Sequence, residues 1–463
     1  MIPKSRVRSK ILRTDHGSSM PIGLPSAGRS PARLPMVLFW LLAARIVIPG
    51  DFDYQHAVDS VAFGGDSLEK EVWQGIWLVF SGVCAVMVFA RASAAGRLLR
   101  NNPFIIGLFC FAGLSTIWSI NPSATVARLF HLLAIFLCCL AASLVDWHPR
   151  RFQEVVRPIF TLLLIGSLVF ALIAPDLASD RPIFPDTTYI LHGLADQKNQ
   201  LGALASMGAI LWVHGWLTRE VKLFWALLGG GAAFACLLLS HSSTSLFATI
   251  LVCIFLYLML RSFRTMKRYT PYIAGVFVAV TLIYTLALLG VVPGLNSLLG
   301  VVADLTGKDR TFSNRTQIWE LILAHINQSP ILGSGYGAYW KPGPDSPSYI
   351  FLSKLFFYPG ECHNGYLEII NDIGYAGLLL LIGYLATYLR QAVRMLKTNY
   401  SQAGLYLAML IQQLITNLTE SHWFFMQSDC LMFTFASLCL ARSTLGRDAQ
   451  VQESLIRRPV PLN

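Results

Sequence analysis

Residues 125–145 read TVARLFHLLAIFLCCLAASLV, and this stretch decides the fold. Its only basic groups, Arg128 and His131, stand near its beginning, and the remainder is apolar or small. A helix rises about 1.5 Å per residue, so a run of this length covers the roughly 30 Å hydrocarbon core of a bilayer. In lipid the backbone must satisfy its own hydrogen bonds, which leaves such a run no alternative to a helix. Working outward, apolar blocks recur at 35–49, 72–90, 103–119, 158–174, 198–216, 223–240, 245–260, 271–291, 365–389, 402–418 and 423–441. The expectation is an all-α, polytopic integral membrane protein with about twelve transmembrane helices. A composition of 54% hydrophobic and 13% charged residues agrees, because soluble chains rarely combine the two.

A net charge of +11 suggests a nucleic-acid binder until its distribution is read. Roughly 26 of the 36 Lys and Arg fall in the N-terminal tail, every second loop and the C-terminal tail, the asymmetry that sets orientation. Arg91, Arg97 and Arg100 mark one such loop, Arg150, Arg151 and Arg157 another, and Arg390, Arg394 and Lys397 a third. Both termini are therefore expected on the cytoplasmic side, and no nucleic-acid partner is expected. Residues 1–34, rich in Arg, Ser, Pro and Gly, read as a disordered basic cytoplasmic tail. Residues 35–441 form the membrane domain, and 442–463 a cytoplasmic C-terminal tail. Eight of the nine Cys lie inside the apolar blocks, where they read as small apolar residues. No CxxC or spaced Cys/His set points to a metal, so none is expected.

The outer face carries the longer connections, and the longest, 292–364, joins the ninth and tenth spans. A connection of that size among short turns is usually functional. Within it, Asn314 and Gln317 resemble a helix start, and Ile318, Trp319, Leu321, Ile322 and Ile326 form an apolar face. The expectation is a short amphipathic helix lying on the outer leaflet. The run Gly333-Ser334-Gly335-Tyr336-Gly337 has no strand before it and no helix after it, so it reads as a flexible turn rather than a nucleotide loop. Residues 349–358 are apolar but too short to span, and are placed at the interface. The paired interrupted helices of an inverted-repeat transporter are not evident.

Candidate chemistry gathers where this loop re-enters the membrane, at His363-Asn364-Gly365-Tyr366-Leu367-Glu368. His363 reads either as a polar residue at a helix start, with Asn364 capping, or as an imidazole that takes a proton from a sugar hydroxyl. Arg315, Arg181 and Lys198 lie on the outer face, where the orientation rule disfavours positive charge. Arg128 and Arg45 sit near the outer ends of the fourth and first spans, and either snorkel to headgroups or mark a substrate site. Cations so grouped suit a pyrophosphate, whose oxygens guanidinium grips through paired donors. Ser240-His241-Ser242-Ser243-Thr244 reads most simply as a polar turn, and the sequons at Asn327, Asn399 and Asn417 as chance matches.

In order along the chain, Gln197-Lys198-Asn199-Gln200-Leu201-Gly202, Leu239-Ser240-His241-Ser242-Ser243-Thr244, Asn314-Arg315-Thr316-Gln317-Ile318-Trp319, Pro330-Ile331-Leu332-Gly333-Ser334-Gly335-Tyr336-Gly337 and the His363-Asn364 run resemble the O-antigen ligase and polysaccharide polymerase superfamily. Within it they are most like Wzy-type exopolysaccharide-production polymerases, over roughly residues 100–440. The resemblance implies a C-type glycosyltransferase-like fold in the bacterial inner membrane, with the active site periplasmic. It implies metal-independent, cofactor-free, inverting glycosyl transfer from a polyprenyl-pyrophosphate-linked oligosaccharide. His363 and Asn364 would be catalytic, and Arg315, Lys198, Arg181 and Arg128 would hold the pyrophosphate. Membrane lipid, a chain-length regulator and an export complex are the partners such a reaction allows. Relatives often carry Arg after the Ser of the 240–244 turn, where this chain has Ser243. The alternatives are a ligase moving lipid-linked glycan onto lipid A-core, and a flippase for lipid-linked sugar.

Overall fold

The computed structural model describes residues 33–49, 67–145, 147–180, 189–261, 315–341 and 346–456, with a few single positions between 269 and 279. These residues are almost wholly helical: α1 (Arg33–Val47), α2 (Ser67–Phe89), α3 (Ala92–Arg100), α4 (Pro103–Leu114), α5 (Pro122–Leu144), α6 (Arg151–Ile173), the single turn α7 (Pro175–Ala178), α8 (Lys198–Leu217), α9 (Leu223–Leu239), α10 (Ser243–Arg261), α11 (Arg315–Ile326), α12 (Tyr349–Leu355), α13 (Gly365–Met395), α14 (Tyr400–Thr416) and α15 (Ser428–Ile456). A two-residue antiparallel ladder, β1 (Ser179–Asp180) with β2 (Ile190–Leu191), pairs Ser179 with Leu191 and Asp180 with Ile190. Local signals set several starts. Pro stands at the beginning of α4 and α5, where its missing N–H costs nothing. Asn121 and Asn399 cap α5 and α14 by accepting from the backbone N–H of Ala124 and Gln402.

The protein is a multi-pass helical membrane protein. Four described helices are long and apolar enough to cross a bilayer: α5, α6, α10 and α13. The pair Gln74–Phe89 and Ala92–Arg100, bent by 88°, passes as a fifth, and α4 and α9 are shorter apolar helices. The expected blocks coincide with helices except for 271–291, which lies outside the described residues apart from single positions. The last helix continues past the expected boundary at 441 to Ile456.

α14 is the centre of the bundle. Every residue from Gln402 to Thr416 is buried, with α8, α10, α13 and α15 packed around it. α8 and α10 approach closely because Gly202 lies against Ser240 and Ser242, and Thr249 Oγ1 reaches Ser206 Oγ at 2.7 Å. Small and hydroxyl side chains are the usual means of close helix contact in lipid. The hydroxyls of the 240–244 turn thus serve packing: Ser242 bonds Ser245, and both are buried. Large apolar side chains on α2, α9 and α10, such as Val86, Phe224 and Phe247, remain exposed, as a lipid-facing rim requires.

Two expectations for the long outer loop are corrected. The apolar face of α11 is covered by protein rather than by lipid: Ile318, Trp319, Ile322 and Ile326 are buried, and Trp319 Nε1 donates to the Cys362 carbonyl at 3.0 Å. Its apolar face is turned onto α13, where it removes more surface from water than a glancing lipid contact would. The glycine run is not a flexible turn either. α13 is broken at Ile373 (φ −131°) and Gly374 (φ 67°, ψ −173°), which frees backbone groups deep in the molecule. The strap 330–337 supplies their partners. Ser334 and Gly335 donate to the carbonyls of Asn371 and Asp372, both at 2.9 Å, and Tyr375 donates to Pro330 at 2.8 Å. Gly333, Gly335 and Gly337 all have positive φ, so the strap is shaped by its glycines rather than loosened by them. Its other edge is tied to the end of α4 by Tyr336 N donating to Ser115 Oγ at 2.9 Å.

A Cβ on Gly374 would strike the Ile331 carbonyl, and its dihedrals lie in a region nearly restricted to glycine. Gly374→Ala is expected to cost at least about 2 kcal/mol, from dihedral strain plus the clash. Gly231→Ala, on a helix with open space around the added carbon, is expected to leave stability unchanged or slightly raised. Thermal unfolding of the two purified variants in one detergent checks the contrast; equal melting temperatures would remove the strap from the fold's supports.

Candidate active site

The site is assembled by four chain segments meeting at the start of α13. Asn364 is the N-cap: its Oδ1 accepts from Tyr366 N at 3.0 Å and Leu367 N at 3.1 Å, while its Nδ2 donates to the Leu418 carbonyl at 3.2 Å. Both ends of the amide are thereby committed, and Asn364 is fully buried. Gly365 follows because no side chain fits: its N–H donates to the Asn417 carbonyl at 2.9 Å, and an added Cβ would run into Asn417 Oδ1. Asn417 itself is buried, and its Oδ1 receives the backbone N–H of His422 and Trp423. The connector 417–427 is thus locked onto the entry of α13. Glu368 completes the lock, accepting from Trp340 Nε1 at 2.7 Å, Cys362 N at 2.7 Å and Ser421 Oγ at 3.1 Å.

This framework holds His363 in a left-handed conformation, φ 48°, uncommon outside glycine though tolerated by His. Its Nδ1 lies 3.2 Å from Glu361 Oε1 and 3.2 Å from Glu420 Oε2. Glu420 Oε1 in turn accepts from Arg315 Nη2 at 2.5 Å and from Asn199 Nδ2 at 2.8 Å. α11, α8, the segment before α13 and the connector 417–427 therefore converge on one carboxylate. The side chains of Arg315, His363 and Glu420 are 19%, 21% and 10% exposed, so their charges are shielded from bulk water but reachable. Burial alone would lower the imidazole's pKa; the hydrogen bonds and charges of Glu361 and Glu420 override it and push it up to about 9. Burial would likewise raise the Glu420 carboxyl, but His363, Arg315 and the nearby His422 hold it below the usual range. His422 has its own buried partner, Asp429 Oδ2, 2.6 Å from Nδ1 in an ion-pair contact outside straight hydrogen-bond geometry.

Of the residues expected from sequence, His363 and Arg315 are brought together through Glu420. Lys198 is the half-buried first residue of α8, beside Asn199, which reaches the cluster directly. Arg128 sits apart from these bonds: its stem lies against Gly337 of the strap, and its guanidinium carbon is 5.4 Å from the Phe425 ring centroid. Arg181 falls outside the described residues, which resume the hairpin on either side of it. Glu361 and Glu420 were not anticipated. Among the described residues they form with His363 the one group of ligand-type atoms close enough for a cation, within 4.8 Å of one another. Arg315 already sits on Glu420 and the imidazole bridges both acids, so the group reads as a charge-balanced ion-pair cluster. A cleft of 370 Å³ beside Leu237, His241, Ser242, Phe247 and Ile250 lies between α9 and α10.

Residues 228–382 match the family described as O-Antigen ligase, a span that includes Arg315, His363 and Asn364. Over that span the chain is similar to the O-antigen ligases. It is 28% identical over 396 residues to the Exopolysaccharide production protein ExoQ of Rhizobium meliloti (strain 1021), covering 80% of this chain and 83% of that one. Glu420 and Lys198 lie beyond the segment that matches the O-antigen ligase family.

The raised imidazole has a consequence for stability. Its folded pKa of about 9 exceeds an unfolded value of about 6.5, so its contribution is complete below pH 6.5 and is lost as pH rises through 9. The contribution is on the order of 3 kcal/mol at most. Between pH 7 and 9.5 the parental melting temperature is expected to fall more than that of His363→Gln. Parallel curves would mean that the ion pairs do not hold the proton.

Proposed function

We propose that the protein polymerises lipid-linked repeat units into an exopolysaccharide, by glycosyl transfer at the periplasmic face of the bacterial inner membrane. The observation that carries this reading is the union of Arg315 and His363 on Glu420, an anion-gripping cation and a basic imidazole held in one partly open cluster. In such a reaction the C1–O bond to the pyrophosphate breaks, the acceptor oxygen bonds to C1 from the opposite face, and the acceptor's proton passes to His363. The leaving polyprenyl pyrophosphate develops negative charge, and preorganised cations are the means of stabilising it without a metal. Arg315 is the first such cation, with Lys198 at the start of α8 adding charge, and the N–H groups of that helix end adding a partial positive dipole. The same role is proposed for Arg181 and Arg128.

His363 would take the acceptor's proton through Nε2, since Nδ1 faces the two carboxylates. Glu361 and Glu420 fix the ring and stabilise the imidazolium that forms. Asn364 acts at one remove, through the helix cap that sets the His363 backbone. A neutral imidazole is needed to receive a proton, so the rate is expected to climb with pH toward about 9. Polymerisation is preferred over ligation because the relative that spans most of the chain is an exopolysaccharide production protein. The match to the O-Antigen ligase family favours the other outcome, transfer of a finished glycan to lipid A-core. Deletion separates them: loss of a polymerase leaves single repeat units, and loss of a ligase leaves unattached polymer.

His363→Ala and Arg315→Ala are each expected to lower conversion of a defined polyprenyl-pyrophosphate oligosaccharide by at least about a hundredfold, the usual scale of removing an acid–base group or a charge-stabilising donor. Product length and anomeric configuration are the readouts. Normally inserted variants that lengthen polymer at the parental rate would refute both assignments, and a retained anomeric configuration would refute inversion.

A further inference from the structure

The cation that would grip the donor and the imidazole that would take the acceptor's proton share one carboxylate. Glu420 presents Oε1 to Arg315 Nη2 at 2.5 Å and to Asn199 Nδ2 at 2.8 Å, and Oε2 to His363 Nδ1 at 3.2 Å. Its side chain is only 10% exposed, so the charges around it interact with little screening. One negative charge divided between two cations has a simple property: when either cation is drawn away, the other feels the carboxylate more strongly. A pyrophosphate carries more charge than a carboxylate and offers guanidinium a bidentate partner, so it is the ligand able to draw Arg315 off Glu420.

We propose that Glu420 is a positioning residue that couples donor binding at Arg315 to proton affinity at His363. The proposal rests on the roles given above to Arg315 and His363. With the site empty, Glu420 is shared between the two cations. With a pyrophosphate on Arg315, the carboxylate turns wholly to Nδ1, and His363 holds a proton most tightly while the acceptor's hydroxyl must lose one. When polyprenyl pyrophosphate departs, Arg315 returns to Glu420 and the imidazole's hold on the proton weakens to that of the empty site. By linkage, the donor also binds more tightly to the form in which His363 is protonated.

Other charges face the same group. Glu361 Oε1 lies 3.2 Å from Nδ1 on the segment before α13, and His422, paired with Asp429, stands behind Glu420 on the connector. Among the described residues neither forms an ion pair with Arg315, so both act as a constant background to the coupling.

The test is the titration midpoint of His363, followed by NMR of histidine-labelled protein in nanodiscs, with the resonance assigned from His363→Gln. Arg315→Gln is expected to raise the midpoint by at least about half a pH unit, roughly threefold in proton affinity, and by less than half that amount in a Glu420→Gln background. Equal shifts in the two backgrounds overturn the coupling, since Arg315 would then act on His363 directly. Should Glu420→Gln not insert, Glu420→Asp keeps the charge but withdraws it by one methylene, and is expected to reduce the shift as well. Polyprenyl pyrophosphate is the probe of the second arm, expected to raise the midpoint in the parental protein and much less in Glu420→Gln. If this probe binds Arg315→Gln as tightly as the parent, the donor role of Arg315 falls, whatever the mutant cycle gives.

Discussion

The break in α13 at Ile373 and Gly374 is the constraint on which the frame of the candidate site depends. A helix interrupted inside a membrane domain leaves N–H and C=O groups that lipid cannot satisfy. The strap 330–337 satisfies them, and in doing so it fixes α11, which precedes it, against α13, which carries the break. Arg315 opens α11 and His363 precedes α13, so the relative position of these two residues follows from backbone hydrogen bonds made some distance away. The same strap braces Arg128 through Gly337, which ties a third cation to the same frame.

Around that frame the polar groups are arranged to cancel. Two carboxylates, one guanidinium and one imidazolium meet around Glu420 and His363, and Glu368 in the locked entry of α13 has three donors of its own. Buried charge is tolerable only when paired in this way. The left-handed backbone at His363 is affordable for the same reason: cap, connector and ion pairs together over-determine it.

Sequence alone made much of this legible. Apolar length identified the helices, and charge asymmetry made the few outer cations conspicuous, which is how Arg315 and Lys198 stood out. Asn364 was readable as a cap because it precedes a long apolar run. Glu361 and Glu420 were not readable, since the orientation rule concerns Lys and Arg and gives acids no signal. Glu420 is also far from His363 in sequence, and nothing local hints at the pairing. The glycine run was misread because its partner is a break inside another helix, unmarked by proline. The apolar face of α11 was correctly seen, but amphipathicity does not say whether protein or lipid covers it.

The paired state of Arg315 bears on selectivity in a crowded membrane. Phospholipid phosphates are the other anions of a membrane, and a bare guanidinium within their reach would bind them. A guanidinium already satisfied by Glu420 presents a threshold instead, because an incoming anion must outcompete a buried carboxylate. A single, diffuse phosphodiester charge is poorly equipped for that exchange, and the denser charge of a pyrophosphate is better equipped. For the donor role proposed for Arg315, the ion pair is thus a filter as well as a brace.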